Sequence, residues 1–489
     1  MPDPSLEAER LLRRFARDTN LLIAGRPMRV HGGGPVADAL VTMLTGMGAR
    51  LGAADAPGAV TFDVGSGAIA VDGAPLPDRG DAAGRLDFAA DHMPVTRTIA
   101  DQLGDTVRGL RIGVSMTLEP KTANLALALA GAGATVAVYA HPDETDPEVA
   151  QALRERGVPV DADASLAPHE ERAVAVGFLR RGFDVFVDDG SHLTRLAHEE
   201  GLTGAWIGAT EETTSGLTPL RLMNTAGALH TPVIAVNDAA TKTGFDNRYG
   251  TGQSCVLAIA DLLDAADVTV RDQPALVIGY GPVGVGVAAH LRALGAEVRV
   301  AEANPVRALL AAHDGFETGA AGALAADALV VSATGVADTI PASMIRAARA
   351  VAVAGGVPGE IDLDGVGGPD ALEPVAPHLE RLTDTGTLVL DRGGCINVTA
   401  AEGNPIEIMD LSFATQLAAI DELATTRPGI GVHALSGAAV DRVAHAAARA
   451  RGVHLAPPPA SRADAADWRS PRYHAHPASA VPSKSPEDS

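Results

Sequence analysis

The sequence predicts an α/β protein with two successive parallel-sheet units, and three observations predict it. The chain has 489 residues, too many for one hydrophobic core, so two or three domains are expected. Short apolar segments, GLRIGVSM (109–116), ATVAVYA (134–140) and FDVFVDD (183–189), alternate with helical stretches. That alternation is the pattern of a parallel sheet covered by helices. The pattern restarts at PALVIGYGPVGVGVAAHLRALGAEVRVAEANP (274–305) as strand, glycine turn, helix and second strand.

The elements follow in order. Residues 6–18 read as a charged amphipathic helix, unlike the apolar stretch of a secretion signal. RPMRVHGGGPVADALVTML (26–44) reads as strand, glycine turn and helix. Its His31 and three glycines could form a phosphate loop. No acidic ribose reader follows a second strand, however, so a tight strand-to-helix connection is expected. Beyond residue 305, ALVVSAT (328–334) and AVAVAGG (350–356) are expected strands, and EIMDLSFATQLAAIDELA (407–424) has apolar residues at helical spacing. The stretch 457–489 is rich in Pro, Ser and Ala, and is expected to be disordered alone or to order as an arm on a partner subunit.

Composition narrows the class. Hydrophobic residues make up 46% and charged residues 20%, as in soluble globular proteins. The net charge of -23 argues against nucleic acid or an anionic membrane as partner, because phosphate neutralisation needs basic patches. A dinucleotide is not barred, since backbone amides can hold its phosphates. Cys255 and Cys395 lie in apolar segments and cannot form a disulfide framework. No metal-ligand spacing is present, and no apolar run reaches membrane-spanning length. A cytoplasmic enzyme without a metal is the expectation.

The chemistry concentrates in VNDAATKTGFDNRYGTGQS (236–254), which places Lys242, Asp238, Asp246 and Asn247 close together. An amine, carboxylates and an amide can take a proton from a hydroxyl and hold the resulting oxygen. Lysine can relay protons there only if burial lowers its pKa. Otherwise Lys242 and Asp246, four residues apart, read as a surface ion pair. Downstream, Gly279, Gly281 and Gly284 fit GxGxxG between a strand and a helix, with Pro282 suited to the first helical turn. Glu302 ends the next strand. A carboxylate there accepts from a ribose diol and repels a 2′-phosphate, favouring NAD over NADP.

DDG (188–190), TEETTSG (210–216), NDAATKTGFDNRYG (237–250), GYGPVGVG (279–286) and NPVRALLAAHDGFE (304–317) stand in one order. With these blocks the chain resembles the S-adenosylhomocysteine hydrolases from about Asp87 to Gly429. The resemblance implies a substrate-binding α/β domain (87–248 and 404–430) and an inserted Rossmann NAD-binding domain (249–403). It leaves an N-terminal extension (1–86) without a role and a C-terminal arm or tail (431–489). It further implies a homotetramer or homodimer that exchanges C-terminal arms, and a nucleoside as substrate. By position, Lys242 and Asp246 would act on the sugar 3′-OH, and Glu212 would bind the ribose diol. Asp189 and Asn247 would move protons around C4′ and C5′. Thr213, Thr214, Asn247 and Asn397 would contact the nicotinamide end of NAD, and Ser115, Thr117, Glu119, Glu402 and Asn404 the nucleoside.

The chain also departs from that family. SMTLEP puts Ser115 where a histidine is expected, and VAGGVP puts Gly356 at another histidine position. GNP puts Asn404 at a third, and Thr251 replaces a cysteine. A lysine–tyrosine signature at the C-terminus is absent, with Arg472 and Tyr473 a faint substitute. The oxidising half of the machinery is thus retained, while the imidazoles that handle a thiol leaving group and incoming water are missing. His192 in DDGSHL is a candidate replacement acid, against the plainer reading of a solvated loop histidine. This divergence resembles the nucleoside dehydratases of angustmycin-type antibiotic pathways. The expected reaction is transient oxidation of the 3′-OH, loss of water from C5′ (C6′ in a ketohexose nucleoside) and re-reduction, giving a 4′,5′-unsaturated nucleoside. The alternatives are hydrolysis of S-adenosylhomocysteine, epimerisation at C3′ or C4′, and a non-catalytic NAD-binding regulator. Retention of Lys242 and Asp246 speaks against the last.

Overall fold

The computed structural model describes residues 3–52, 56–76 and 78–457. The tail reading falls largely on 458–489, outside the described residues. The α/β architecture is as expected, and the described residues hold three sheets.

The first expected unit is a seven-stranded, all-parallel sheet. Its order is Gly431–Ala434, Pro232–Ala235, Gly208–Glu211, Val185–Asp188, Arg111–Ser115, Thr135–Tyr139 and Val160–Asp161. Strands such as Val185–Asp188 are buried throughout, which explains their continuous apolar runs. In register, Asp188 lies beside Glu211 on one side and Ser115 on the other. Three motifs far apart in sequence therefore end along one carboxyl edge, where ligands of open α/β sheets bind. Residues 431–434, assigned by the sequence to the C-terminal arm, form the edge strand beside Pro232–Ala235. The helix Gly437–Ala450 follows. Residues 448–457, the described part of a second unit, finish that helix and continue without regular structure.

The second sheet has eight strands: Glu317–Thr318, Glu297–Ala301, Pro274–Ile278, Leu329–Ser332, Ala350–Val353, Leu388–Leu390, Leu379–Leu382 and Leu372–Ala376. The first six run parallel, Leu379–Leu382 runs antiparallel to them, and Leu372–Ala376 pairs antiparallel with that strand. The helix Pro282–Leu294 follows the glycine turn.

The N-terminal extension is itself an α/β layer, with a sheet ordered Arg50–Leu51, Pro27–His31, Val60–Asp63, Ala68–Val71, Ala74–Pro75. His31 ends a strand, and after three glycines the helix Pro35–Gly46 begins, the strand-to-helix connection expected. This layer is fastened to the rest. Arg13, buried on the helix Pro4–Thr19, pairs with Asp261 and with Asp264 (2.8 Å) of the helix Thr251–Asp264. Gly46 lies so close to Ala293 that a Cβ would approach it to 2.9 Å.

The helix Ile406–Thr426 is buried along most of its length. It caps a second helix: Asp410 accepts from the amides of Val95 (3.1 Å) and Thr96 (2.7 Å), at the start of Pro94–Leu103. That helix has no side-chain cap of its own, so a neighbouring element satisfies its unpaired N–H groups.

Candidate active site

The run 236–254 forms no long element until Thr251. It folds as two short turns, Val236–Asp238 and Ala240–Thr243, then a π-helical turn Asp246–Gly250. Lys242 Nζ lies 2.6 Å from Asp246 Oδ2 and donates to Asn247 Oδ1 at 2.9 Å. Asn247 donates to Asn237 Oδ1 (3.1 Å), and Asn237 donates to Thr214 Oγ1 (3.0 Å). The Lys242 and Asp246 side chains are 3% and 6% exposed, so this is no surface ion pair. The expected lowering of the lysine pKa is not found. Burial pushes it down, but Asp246, Glu212 and Asp189 together raise it above the ordinary lysine value. Lys242 is therefore an ammonium at neutral pH, held against Asp246 by one short charge-assisted contact.

Two further elements hold this pair. Asn404 Nδ2 donates to Asp246 Oδ1 (2.5 Å) and Thr251 Oγ1 (3.1 Å). Its carbonyl accepts from Ser254 Oγ (2.7 Å) and Asn397 Nδ2 (3.0 Å). Every polar site of the Asn404 amide is engaged. Glu212 bonds Ser412 and Gln416 (2.5 Å) of the helix Ile406–Thr426. Burial pushes Glu212 up to about 7 against the pull of Lys242.

At the sheet edge, Asp188 is pushed up to about 6 by burial, which hydrogen bonds from Thr194 and Ser115 oppose. Glu211 is raised well above the carboxylate range by burial and by Asp188. Asp189 is raised by burial, opposed by Lys242. Thr213 caps the helix Thr214–Thr225, donates to Glu211 (2.6 Å) and accepts from the Gly190 amide (2.9 Å). Of these carboxyls, Asp189 and Glu212 act with Asp246 on the one lysine.

Behind the sheet edge an inner cavity of about 220 Å³ brings together Thr117, Glu119, Asp189, Glu212, Thr213, Thr214, Lys242, Asp246, Asn247, Asn397 and Asn404. It meets an outer chamber of about 790 Å³ at Met116, Glu144, Asp189, Gly356 and Cys395. Ser115, His141 and His192 line only the outer chamber, and no histidine lines the inner cavity among the described residues. Gly356 has φ +78°, a conformation that favours glycine. Glu402 does not join the others: its carboxylate turns to Arg79 (2.5 Å), and its carbonyl accepts from Lys121 Nζ (2.6 Å) and Asn20 Nδ2 (3.1 Å). Part of the N-terminal extension therefore grips the loop that carries Asn404.

Sequence reasoning passed over Asp188, Glu211 and Glu144. The first two had a signal, since each doublet, Asp188–Asp189 and Glu211–Glu212, stands at a strand end. Glu144 had none. It reaches the cavity because its turn pairs with Leu118, whose amide donates to the Glu144 carbonyl at 2.9 Å. Glu144 is a solvent-exposed residue at the cavity junction, with protein crowded around the opening. Desolvation by that protein, with Asp189 and Asp143, pushes it up to about 7.

The glycine turn fits a dinucleotide. Gly279 has φ +95°, and a Cβ on Gly284 would lie 1.9 Å from the Gly279 carbonyl oxygen. Gly281 precedes Pro282 at the helix N-terminus, leaving the first-turn amides for pyrophosphate. Glu302 accepts from the Tyr280 amide (2.6 Å) and the Asn304 amide (2.7 Å), fixing its carboxylate beside the turn for a ribose diol. A Cβ on Gly286 would lie 1.9 Å from the Arg248 carbonyl oxygen, so the nucleotide helix packs directly on the catalytic turn. Val283 lines the inner cavity with Thr213, Thr214, Asn247 and Asn397, which would face the nicotinamide end.

Comparison with known proteins agrees. Residues 247–403 match the S-adenosyl-L-homocysteine hydrolase, NAD binding domain. The chain is 37% identical over 362 residues to S-inosyl-L-homocysteine hydrolase of Methanopyrus kandleri, covering 69% of this chain and 82% of that protein. It is 37% identical over 368 residues to adenosylhomocysteinase of Aeropyrum pernix, covering 71% and 86%. To S-inosyl-L-homocysteine hydrolase of Methanocaldococcus jannaschii it is 35% identical over 355 residues, covering 69% and 83%. The chain belongs to the S-adenosyl-L-homocysteine hydrolase family, and its cofactor is NAD.

Proposed function

We propose that the protein removes water from a nucleoside without net redox change. The 3′-OH is oxidised, C4′ loses a proton, hydroxide leaves C5′ (C6′ in a ketohexose nucleoside) as water, and the ketone is reduced again. One observation carries this reading. The inner cavity keeps the buried Lys242–Asp246–Asn247 network while no imidazole lines it among the described residues. NAD, when bound, accepts the C3′ hydrogen with its electron pair and later returns it. Lys242, as an ammonium, holds the 3′ oxygen and can take its proton only as it gives one of its own to Asp246 across their short contact, so Asp246 is the base of the pair. Asn247 orients Lys242, and Glu212 binds the diol. Asp189, made more basic by burial, takes the C4′ proton that the adjacent ketone acidifies.

A second reading is hydrolysis of a thioether such as S-adenosyl- or S-inosylhomocysteine. The outer chamber favours it, having room for a large 5′ substituent beside His141 and His192. Incubating the NAD-loaded protein with each substrate class in heavy-oxygen, deuterated water separates the readings by product mass. Loss of water without oxygen incorporation supports dehydration, whereas homocysteine release with oxygen label at C5′ refutes it. Deuterium gain without other mass change would mean epimerisation. K242A should bind NAD yet give no change in nicotinamide absorbance with substrate.

A further inference from the structure

Glu144 stands where the two cavities meet, beside Asp189, and has no role in the scheme above. It ends the short turn Pro142–Glu144. Two backbone bonds fasten that turn to the first substrate motif: Leu118 N to Glu144 O (2.9 Å) and Asp146 N to Leu118 O (3.0 Å). Thr117 of that motif lines the inner cavity with Glu144. Its neighbours at this junction are poorly suited to donate a proton. Ser115 lines only the outer chamber and lies beside Asp188 in the sheet register. The Cys395 thiol donates to Asn397 (3.1 Å), and burial pushes it well above the ordinary thiol range. The other titratable groups around it are Tyr139 at the end of the preceding strand, Asp143 and His141 on its own turn, Asp189 from the neighbouring strand end, and Glu171 and His192 on the wall of the outer chamber.

Resting on the dehydration reading, we propose that Glu144 is the general acid of the elimination, giving its proton to the oxygen that leaves C5′. With its pKa pushed up to about 7, it holds a proton under conditions where an ordinary glutamate does not. The step balances. Asp189 takes the C4′ proton, and the C–H electron pair becomes the C4′–C5′ π bond. The C5′–O bond breaks with its pair on oxygen, and the Glu144 proton completes the water. Transfer of the C4′ proton from Asp189 to Glu144 resets both groups. A hydroxide leaving group needs this proton far more than a thiolate does, which fits a carboxylic acid here in place of an imidazole.

The test compares E144Q with wild type as NAD-loaded protein and nucleoside in deuterated water. The variant should exchange C4′ hydrogen at the wild-type rate while water loss falls about 10²–10⁴-fold. Water loss at the wild-type rate overturns the proposal, as does loss of C4′ exchange in parallel. If wild type instead releases homocysteine from a thioether, the dehydration reading fails. Glu144 is then judged on that release, and undiminished release by E144Q refutes its role. A substrate-free measurement stands beside these. Infrared difference spectra of wild type minus E144Q, taken slightly below the value of about 7, should show a protonated carboxyl band, and its absence overturns the proposal.

Discussion

Replacing Asp246 by Asn tests the buried pair most sharply. Asp246 accepts on both oxygens, from Asn404 Nδ2 at 2.5 Å and from Lys242 Nζ at 2.6 Å. An amide has one acceptor and one donor end, so in either orientation its NH₂ faces another donor. An unsatisfied buried group of this kind costs about 1–3 kcal/mol. Stranding the Lys242 ammonium without its nearest counter-charge brings the total to about 3–5 kcal/mol, the usual cost of removing one partner of a buried pair. The lysine pKa should fall, because burial, the largest influence on it, loses its main opponent. D246N should therefore shift the urea unfolding midpoint downward at unchanged slope. It should also move Lys242's reaction with an amine-directed reagent to lower pH and slow C3′ oxidation about 10²–10⁴-fold, followed by nicotinamide absorbance. Adding K242M should recover part of the stability, since the amide oxygen can then face Asn404. A stability loss under about 1 kcal/mol with unchanged lysine reactivity would mean that the pair is solvated, and the reasoning would fail.

Two other outcomes follow from the geometry. G284A should weaken NAD binding at least about tenfold, roughly 1.4 kcal/mol, because its Cβ meets the Gly279 carbonyl oxygen at 1.9 Å. In G281A the Cβ meets nothing of the protein closer than 3.5 Å, so any loss there comes from crowding the ligand. Fluorescence titration with NAD separates them, and wild-type affinity in G284A would contradict the fit. The N-terminal layer should lose stability as pH rises, because burial lifts Glu9 from 4.5 to about 7. A carboxyl raised on folding binds more protons in the folded state, so its stabilising effect is full at low pH and is lost between about 4.5 and 7. The slope is worth on the order of 3 kcal/mol. E9Q should flatten it, as read by hydrogen exchange of residues 4–19, and an unaltered slope would assign it elsewhere.

Much of the candidate site could be proposed from the chain, because the run 236–254 and the glycine turn are local. A backbone that must approach pyrophosphate needs glycine, and Glu302 must follow one strand later. The strand alternation likewise gave the sheets, since parallel strands buried on both faces need continuous apolar runs. Glu402 was misjudged because its partners, Arg79 and Asn20, lie more than three hundred residues away. The direction of the Lys242 shift was misjudged for a related reason: three carboxylates converge on it from two strand ends and a turn.

By itself the sequence determined the α/β class, the nucleotide turn, NAD as cofactor and the composition of the proposed oxidising cluster, all of which depend on residues near one another along the chain. Tertiary structure decided the directions of the pKa shifts and the placement of Glu144. Those depend on desolvation and on charges brought together by strand register, and neither is encoded in local spacing.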